Sequence, residues 1–341
     1  MFRSVFLLLF MLGVPFFVYG SDNNPWTHSF YFENDLFIGT DNDYTNGMKY
    51  SIISPDLAPH VPLSRTAKIP RMALNFFHRI PLIKNTPAET GHKVELAFGQ
   101  SMYTPQDISR FDLIEDDRPY AGYSYLAMSY HQKSVDGNLW SQMDTTEVQI
   151  GIVGPSSLAE DAQKLVHRTR NLQRPNGWEH QLKDELGVTL AFERKWLYHP
   201  TSQRRFCADA ITHAGVALGN VMTYFNGGFE IRAGWNIPRS FAVSLIRPAG
   251  STWSTLDSNL SIYLFTAVNG RIVLRDIFLD GNTFRSSHHV DKKTLVADLS
   301  TGITARYRRL SLSLANTHRT REFEQQPKHH DFASITLSYA F

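Results

Sequence analysis

Gln163 and His167 stand four residues apart, the spacing that brings two side chains onto one face of a helix. An imidazole there is a candidate general base, because its ordinary pKa lets it take a proton from water near neutral pH. A histidine on a helix is also commonly structural or merely exposed, and spacing alone leaves both readings open. Far upstream, Asn34 and Asp35 offer oxygen ligands for a hard cation such as calcium, with a hydroxyl or carbonyl at Thr45 as a third donor. The same Asn-Asp pair suits a turn at a strand end. Arg110, Arg118 and Arg168 are forked donors that fit phosphate oxygens, or else plain surface charges.

These groups are too far apart in sequence to meet unless a scaffold brings them together. The clearest architectural signal is at the C-terminus, where Ala333, Ile335, Leu337, Tyr339 and Phe341 alternate with Phe332, Ser334, Thr336, Ser338 and Ala340. One apolar and one small or polar face is what a strand between lipid and a polar lumen requires. The dyad recurs through Leu310, Leu312 and Leu314, through Phe229, Ile231, Ala233 and Trp235, and through Val148, Ile150 and Ile152. Glu230 and Arg232 then face inward. Such segments predict strands near 27–37, 44–53, 92–103, 120–132, 144–154, 187–199, 205–219, 222–236, 259–276, 293–306, 308–318 and 331–341. The fold class is therefore all-β, a twelve-stranded antiparallel transmembrane β-barrel, the even number that a single-chain barrel favours.

One helix interrupts this pattern. Leu158, Ala162, Leu165, Val166 and Thr169 recur at helical spacing between Ser156 and Leu172, with Ser157 and Glu160 as a possible capping box. Gln163 and His167 border the apolar stripe, so His167 should point toward the barrel wall. With both chain termini periplasmic, counting crossings brings the helix to the same extracellular rim as Glu33 to Asp35, Asp43 to Gly47, Gly99 to Tyr103 and Asp116 to Tyr120. The proline-rich stretch from Pro55 to Pro87 falls on the periplasmic side, where turns are usually short, and has no counterpart in this scheme.

Composition narrows the class. Residues 1–20 read as a signal peptide, with Arg3 before the apolar run Val5 to Val18 and Val18-Tyr19-Gly20 at the cleavage site; residues 21–341 form the barrel. No later apolar run has the length of a spanning helix. A net charge of +2 gives no case for nucleic acid. The single cysteine, Cys207, cannot form an internal disulfide and reads as a packing residue. Aromatic residues at 13% suit the girdles of a membrane barrel. No Gly-x-Ser-x-Gly elbow occurs, which favours direct attack by water over an acyl-enzyme.

Glu33-Asn34-Asp35, Asp43-Tyr44-Thr45 followed by Gly47, Gln100 with Tyr103-Thr104-Pro105, Asp117-Arg118, Val153-Gly154-Pro155, Gln163 with His167-Arg168, and Trp178 with Gln181 together resemble the lipid A 3′-O-deacylase (LpxR) family. The resemblance runs in order through most of the chain and is densest between Phe30 and Gly187. It implies a calcium-dependent outer-membrane barrel that removes the 3′-linked acyloxyacyl group of lipid A in lipopolysaccharide, at a site between the wall and an outer helix. It also implies His167 as the base, Gln163 beside it, and Asn34, Asp35 and Thr45 on the wall side binding Ca²⁺ or the substrate carbonyl. Two positions depart from the family: Arg110 is the nearest cation to its lysine in the loop after the third strand, and Gln173 replaces a glutamate. A barrel esterase or phospholipase with a serine nucleophile, an enzyme of the same fold acting on another acylated lipid, and a passive porin-like barrel are the rival readings. No obligate protein partner is inferred.

Overall fold

The computed structural model describes residues 25–35, 43–57, 91–136, 139–200, 205–241, 246–249 and 260–341. The segment read as a signal peptide and nearly all of the proline-rich stretch lie outside these residues. Twelve strands follow in order: β1 (Thr27–Asn34), β2 (Asp43–Ile53), β3 (Gly91–Thr104), β4 (Ala121–Asp136), β5 (Trp140–Val153), β6 (Glu185–Tyr198), β7 (Phe206–Gly219), β8 (Met222–Trp235), β9 (Leu260–Asp276), β10 (Leu295–Tyr307), β11 (Leu310–Arg319) and β12 (His330–Ala340). Each pairs with its neighbour and β1 pairs with β12, closing an antiparallel barrel without edges. The period-two pattern thus marked every strand, to within a few residues at the ends.

The alternation sorts residues between two solvents. Leu126, Ile150, Leu186 and Leu264 stand well exposed on the outer face, where apolar side chains meet lipid. Trp140, Tyr198, Trp235, Tyr307 and Tyr339 cluster at the end of the barrel carrying the termini, here called the base. The lumen is lined by buried polar and charged side chains among the described residues. Buried ion pairs join neighbouring strands along it, including Lys49–Glu95 at 3.0 Å with His131 at 3.2 Å, Arg232–Asp209 at 2.6 Å, and Arg319–Asp298 at 2.6 Å. Arg247 enters from the connection between β8 and β9 and pairs with Glu193, while Ile246 N donates to Glu33 Oε1 at 2.5 Å. Cys207 packs beside the cluster of Ile237, Tyr263, Phe265 and Ala315, in keeping with a packing role.

Two helices sit at the opposite end, the rim: α1 (Ala159–Arg170) and the four-residue α2 (Ile277–Asp280). The shorter helix was not expected, because one turn leaves no periodicity to read. It is capped by Asp276, which accepts from Phe278 N at 3.0 Å, and packs Ile277 and Phe278 against Tyr103 and Tyr123 over the upper lumen. No helix is long and apolar enough to cross a membrane among the described residues.

Candidate active site

Strand register defines the wall of the site. Asn34 faces Asn46 of β2, Asn46 faces Met102 of β3, and Met102 faces Gly122 of β4; on its other side Asn34 faces Ala333 of β12. Residues directly opposite share a face of the sheet. Along β1, Ser29, Tyr31 and Glu33 turn into the lumen and Phe30 turns out, so Asn34 and its row lie on the outer face near the rim. Asn34 is nevertheless buried there, and Asp35 beside it is fully enclosed.

Helix α1 lies against this outer wall, over β4 and β3. A Cβ on Gly122 would fall 2.2 Å from Ser157 Oγ and 2.3 Å from Ala159 Cβ, so the helix start can approach this closely only over a glycine. Gln100 Nε2 and Ser124 Oγ donate to Ser157 O at 2.8 and 2.7 Å, tying the helix entry to β3 and β4. Gly154 takes φ 99° where the chain leaves β5, and a Cβ there would strike the backbone of Lys183 and Asp184. The expected capping box does not form. Ser157 closes a short 3-10 turn, Leu158 caps the helix at φ 59°, and the Glu160 carboxylate binds Lys164 and Gln181 instead. The helix accordingly starts at Ala159 rather than Ser156, because the Gly154-Pro155 turn reorients the chain before it.

The buried stripe of α1 is Ala159, Gln163 and His167, one residue per turn, facing the wall, while Val166 and Arg168 face away. Trp178 Nε1 donates to Gln163 Oε1 at 2.7 Å. An indole N–H only donates, so this contact fixes which end of the amide is oxygen. Gln163 Nε2 then lies buried with no partner among the described residues. His167 Nδ1 contacts the Gln173 carbonyl. A carbonyl only accepts, so Nδ1 carries a proton, and the neutral form of such a ring has its lone pair on Nε2. Gln173 serves this contact through its main chain, so glutamine in place of glutamate leaves it intact.

The remaining predicted residues divide. Thr45 lies on β2 where the ladder to β3 shifts register between Asp43 and Asn46; its side chain is outside the described residues. Arg110 and Arg168 are exposed at the rim. Arg118 corrects the expectation of a phosphate-binding cation: it is buried, bonds Glu322 at 3.0 Å, and sits over the rings of Tyr103 and Phe323. The aspartate-arginine pair in sequence carried no sign of a partner two hundred residues downstream. Burial alone would raise the pKa of Glu322, yet the guanidiniums of Arg319 and Arg118 hold it below the ordinary carboxylate range. Sequence reasoning missed Gly122 and Ser124 as parts of the helix mount, since glycine and serine are ordinary in a strand of this kind. Trp178 was visible only as a motif residue, and its partner here is Gln163.

The profile of the LpxR outer membrane proteins matches residues 5–341. The chain belongs to the LpxR family. The solved LpxR from Salmonella typhimurium superposes with a TM-score of 0.69 at 15% identity, covering 92% of this chain and all of that one. The β-domain of the Bordetella autotransporter BrkA and the translocator domain of NalP from Neisseria meningitidis follow at TM-scores of 0.47 and 0.43, with 9% and 7% identity. They cover 93% and 100% of this chain, and 99% and 95% of their own. No curated protein sequence matches. This LpxR-family chain is an outer membrane protein. Four residues among those that carried the resemblance in sequence mount α1: Gln100 at its entry, Gly154 at its turn, and Trp178 and Gln181 binding its side chains.

Proposed function

We propose that the protein is a lipid A deacylase that hydrolyses the 3′-linked acyloxyacyl ester in the outer leaflet. The observation carrying this reading is a buried His167 whose Nδ1 donates to a carbonyl, the arrangement that makes Nε2 the basic atom of a neutral ring, on a helix packed against the outer face of the wall. A site outside the wall and near the rim faces the outer leaflet, so a lipid reaches it laterally without entering the lumen.

In this mechanism His167 Nε2 takes a proton from water as the oxygen adds to the ester carbonyl, then returns it to the departing alkoxide. Gln163 has its oxygen held by Trp178, which leaves its buried Nε2–H₂ one helical turn from the imidazole to donate to the forming oxyanion. Asn34 and Asp35 pair an amide with a carboxylate, and Thr45 adds a hydroxyl or carbonyl. This all-oxygen set suits calcium, and these residues would hold it. When bound, calcium acts as a Lewis acid that offsets negative charge on the carbonyl oxygen. Arg110 and Arg168 are the exposed cations for the glucosamine phosphates.

A passive pore accords poorly with the 246–247 segment, which bonds Glu193 of β6 and Glu33 of β1 inside the lumen, and with α2 packed over its upper end. The deciding experiment is mass spectrometry of lipid A from cells with and without the protein, and from purified enzyme with calcium or with a chelator. Loss of the 3′-linked group only with active, calcium-replete enzyme is expected. Unchanged lipid A would sink the reading, and normal turnover in chelator would remove Asn34, Asp35 and Thr45 as metal ligands. Covalent labelling by a fluorophosphonate would favour a serine esterase instead.

A further inference from the structure

A second cluster of metal-ligating groups lies outside this site. His318 and Asp331 face each other across β11 and β12, and His329 precedes Asp331 by two residues. His318 Nδ1 is 2.7 Å from Asp331 Oδ1, and His329 Nε2 is 3.5 Å from Asp331 Oδ2. The two imidazole centroids are only 4.0 Å apart. One ligand atom from each residue lies within 4.8 Å of the others. All three side chains are about half exposed, whereas the intervening His330 is buried against Phe332.

We infer that His318, His329 and Asp331 form a binding site for a first-row transition metal of the Zn²⁺ type. As two cations, rings this close would repel each other; as neutral rings they bring two nitrogen lone pairs beside one carboxylate. Imidazole favours zinc, copper and nickel, while calcium and magnesium prefer oxygen, so this site differs in kind from Asn34, Asp35 and Thr45. Tetrahedral zinc bonds of 2.0–2.1 Å put ligand atoms about 3.4 Å apart, close to the spacing here and within reach of small rotations of exposed side chains. The β11–β12 ladder holds two of the three ligands in register, so little is left to organise. Three protein ligands leave one position open. Asp331 lies two residues from Ala333, the register partner of Asn34, on the rim side, so the cluster sits on the outer face near the rim, one strand from the wall of the active site.

The test is titration of the purified, detergent-folded protein with Zn²⁺ near pH 7.5, followed by competition with a chromophoric chelator, and with Co²⁺, whose visible bands report tetrahedral nitrogen and oxygen ligation. Wild type should take up one tight equivalent. His318→Asn and His329→Asn should each weaken it on the order of a hundredfold, since even outer partners of metal ligands are worth 10–100-fold. The variants should keep heat-modifiable mobility, because the replaced side chains are exposed. Equal Zn²⁺ affinity in wild type and in the H318N/H329N double variant would assign any uptake to the other histidines and overturn the proposal. So would the absence of Co²⁺ bands in wild type. Both readouts are independent of deacylation.

Discussion

The wall from β1 to β5 and the wall from β7 to β11 are built from the same alternating strands but carry opposite loads. On the far wall the outer face is largely bare apolar surface, aliphatic and aromatic, and the buried ion pairs are luminal, such as Arg232 with Asp209. On the near wall the outer face turns polar and small toward the rim, with Asn34, Asn46, Gln100, Gly122 and Ser124, and α1 covers part of it. The difference teaches where chemistry is possible in such a barrel. A luminal pair is rigid but shut away from lipid, whereas a row on the outer face, covered by a helix, is both fixed and reachable from the leaflet.

The largest expected effect follows from the base. His167→Ala should lower deacylation by about 10²–10⁴-fold, the usual contribution of a general base, with heat-modifiable mobility unchanged. Retained activity in the mass-spectrometric assay would remove the near wall's claim to the chemistry. The far wall should respond in the other currency. Arg232→Met leaves Asp209 buried beside only His199, and breaking a buried pair costs about 3–5 kcal/mol. Urea unfolding in lipid vesicles should register that loss while turnover per folded molecule stays unchanged. If turnover instead fell with stability intact, the two walls would not be separable.

The far wall was the more legible in sequence. A strand exposed to lipid on one face and filled with polar groups on the other writes its period into every second residue, and Leu310 to Leu314 or Phe229 to Trp235 need nothing else to be found. The near wall was legible only in part. Gln163 and His167 were visible because helical spacing put them together, and the burial of both is the outcome of that spacing. The capping box failed because a local motif cannot register that Gly154 and Pro155 have already turned the chain. Arg118 misled for a related reason: an arginine at a loop declares its charge, while its partner Glu322 is set by the closure of the barrel. Gly122 was silent, since a missing side chain signals nothing until a helix is seen lying on it.

Two smaller effects probe how α1 is held. Gly122→Val inserts a branched side chain where Ser157 Oγ and Ala159 Cβ already stand, so the helix start must lift from the wall. Misplacement of about 1 Å costs catalysis on the order of a hundredfold, and the barrel itself should fold normally because β4 keeps its ladder. Wild-type kcat in this variant would show that the helix is not positioned by close approach to β4. Trp178→Phe keeps most of the packing against Tyr120 but removes the bond to Gln163 Oε1. A neutral hydrogen bond is worth about 0.5–1.5 kcal/mol, so the expected loss is roughly two- to tenfold in kcat. An unchanged rate would mean that Gln163 is oriented by something other than the indole.

The smallest effect concerns the crown that joins the two walls. Glu322, in the connection between β11 and β12, receives Arg118 from the connection between β3 and β4 and Arg319 from the end of β11. Its pKa in the folded protein is depressed, so the unfolded state binds the proton more readily. Its stabilising contribution is therefore fully present above the ordinary carboxylate range and is lost as pH falls through the folded value. Between pH 6 and 8, roughly two units or more above an ordinary glutamate, the crown should be insensitive to pH through this group. Amide exchange of residues around Arg118 and Phe323 should accelerate as pH falls below the ordinary carboxylate range, and Glu322→Gln should abolish that acid step. A step near neutrality that survives Glu322→Gln would assign the loosening to another group facing the crown, either His330 beside Glu322 or Asp276 at the start of α2.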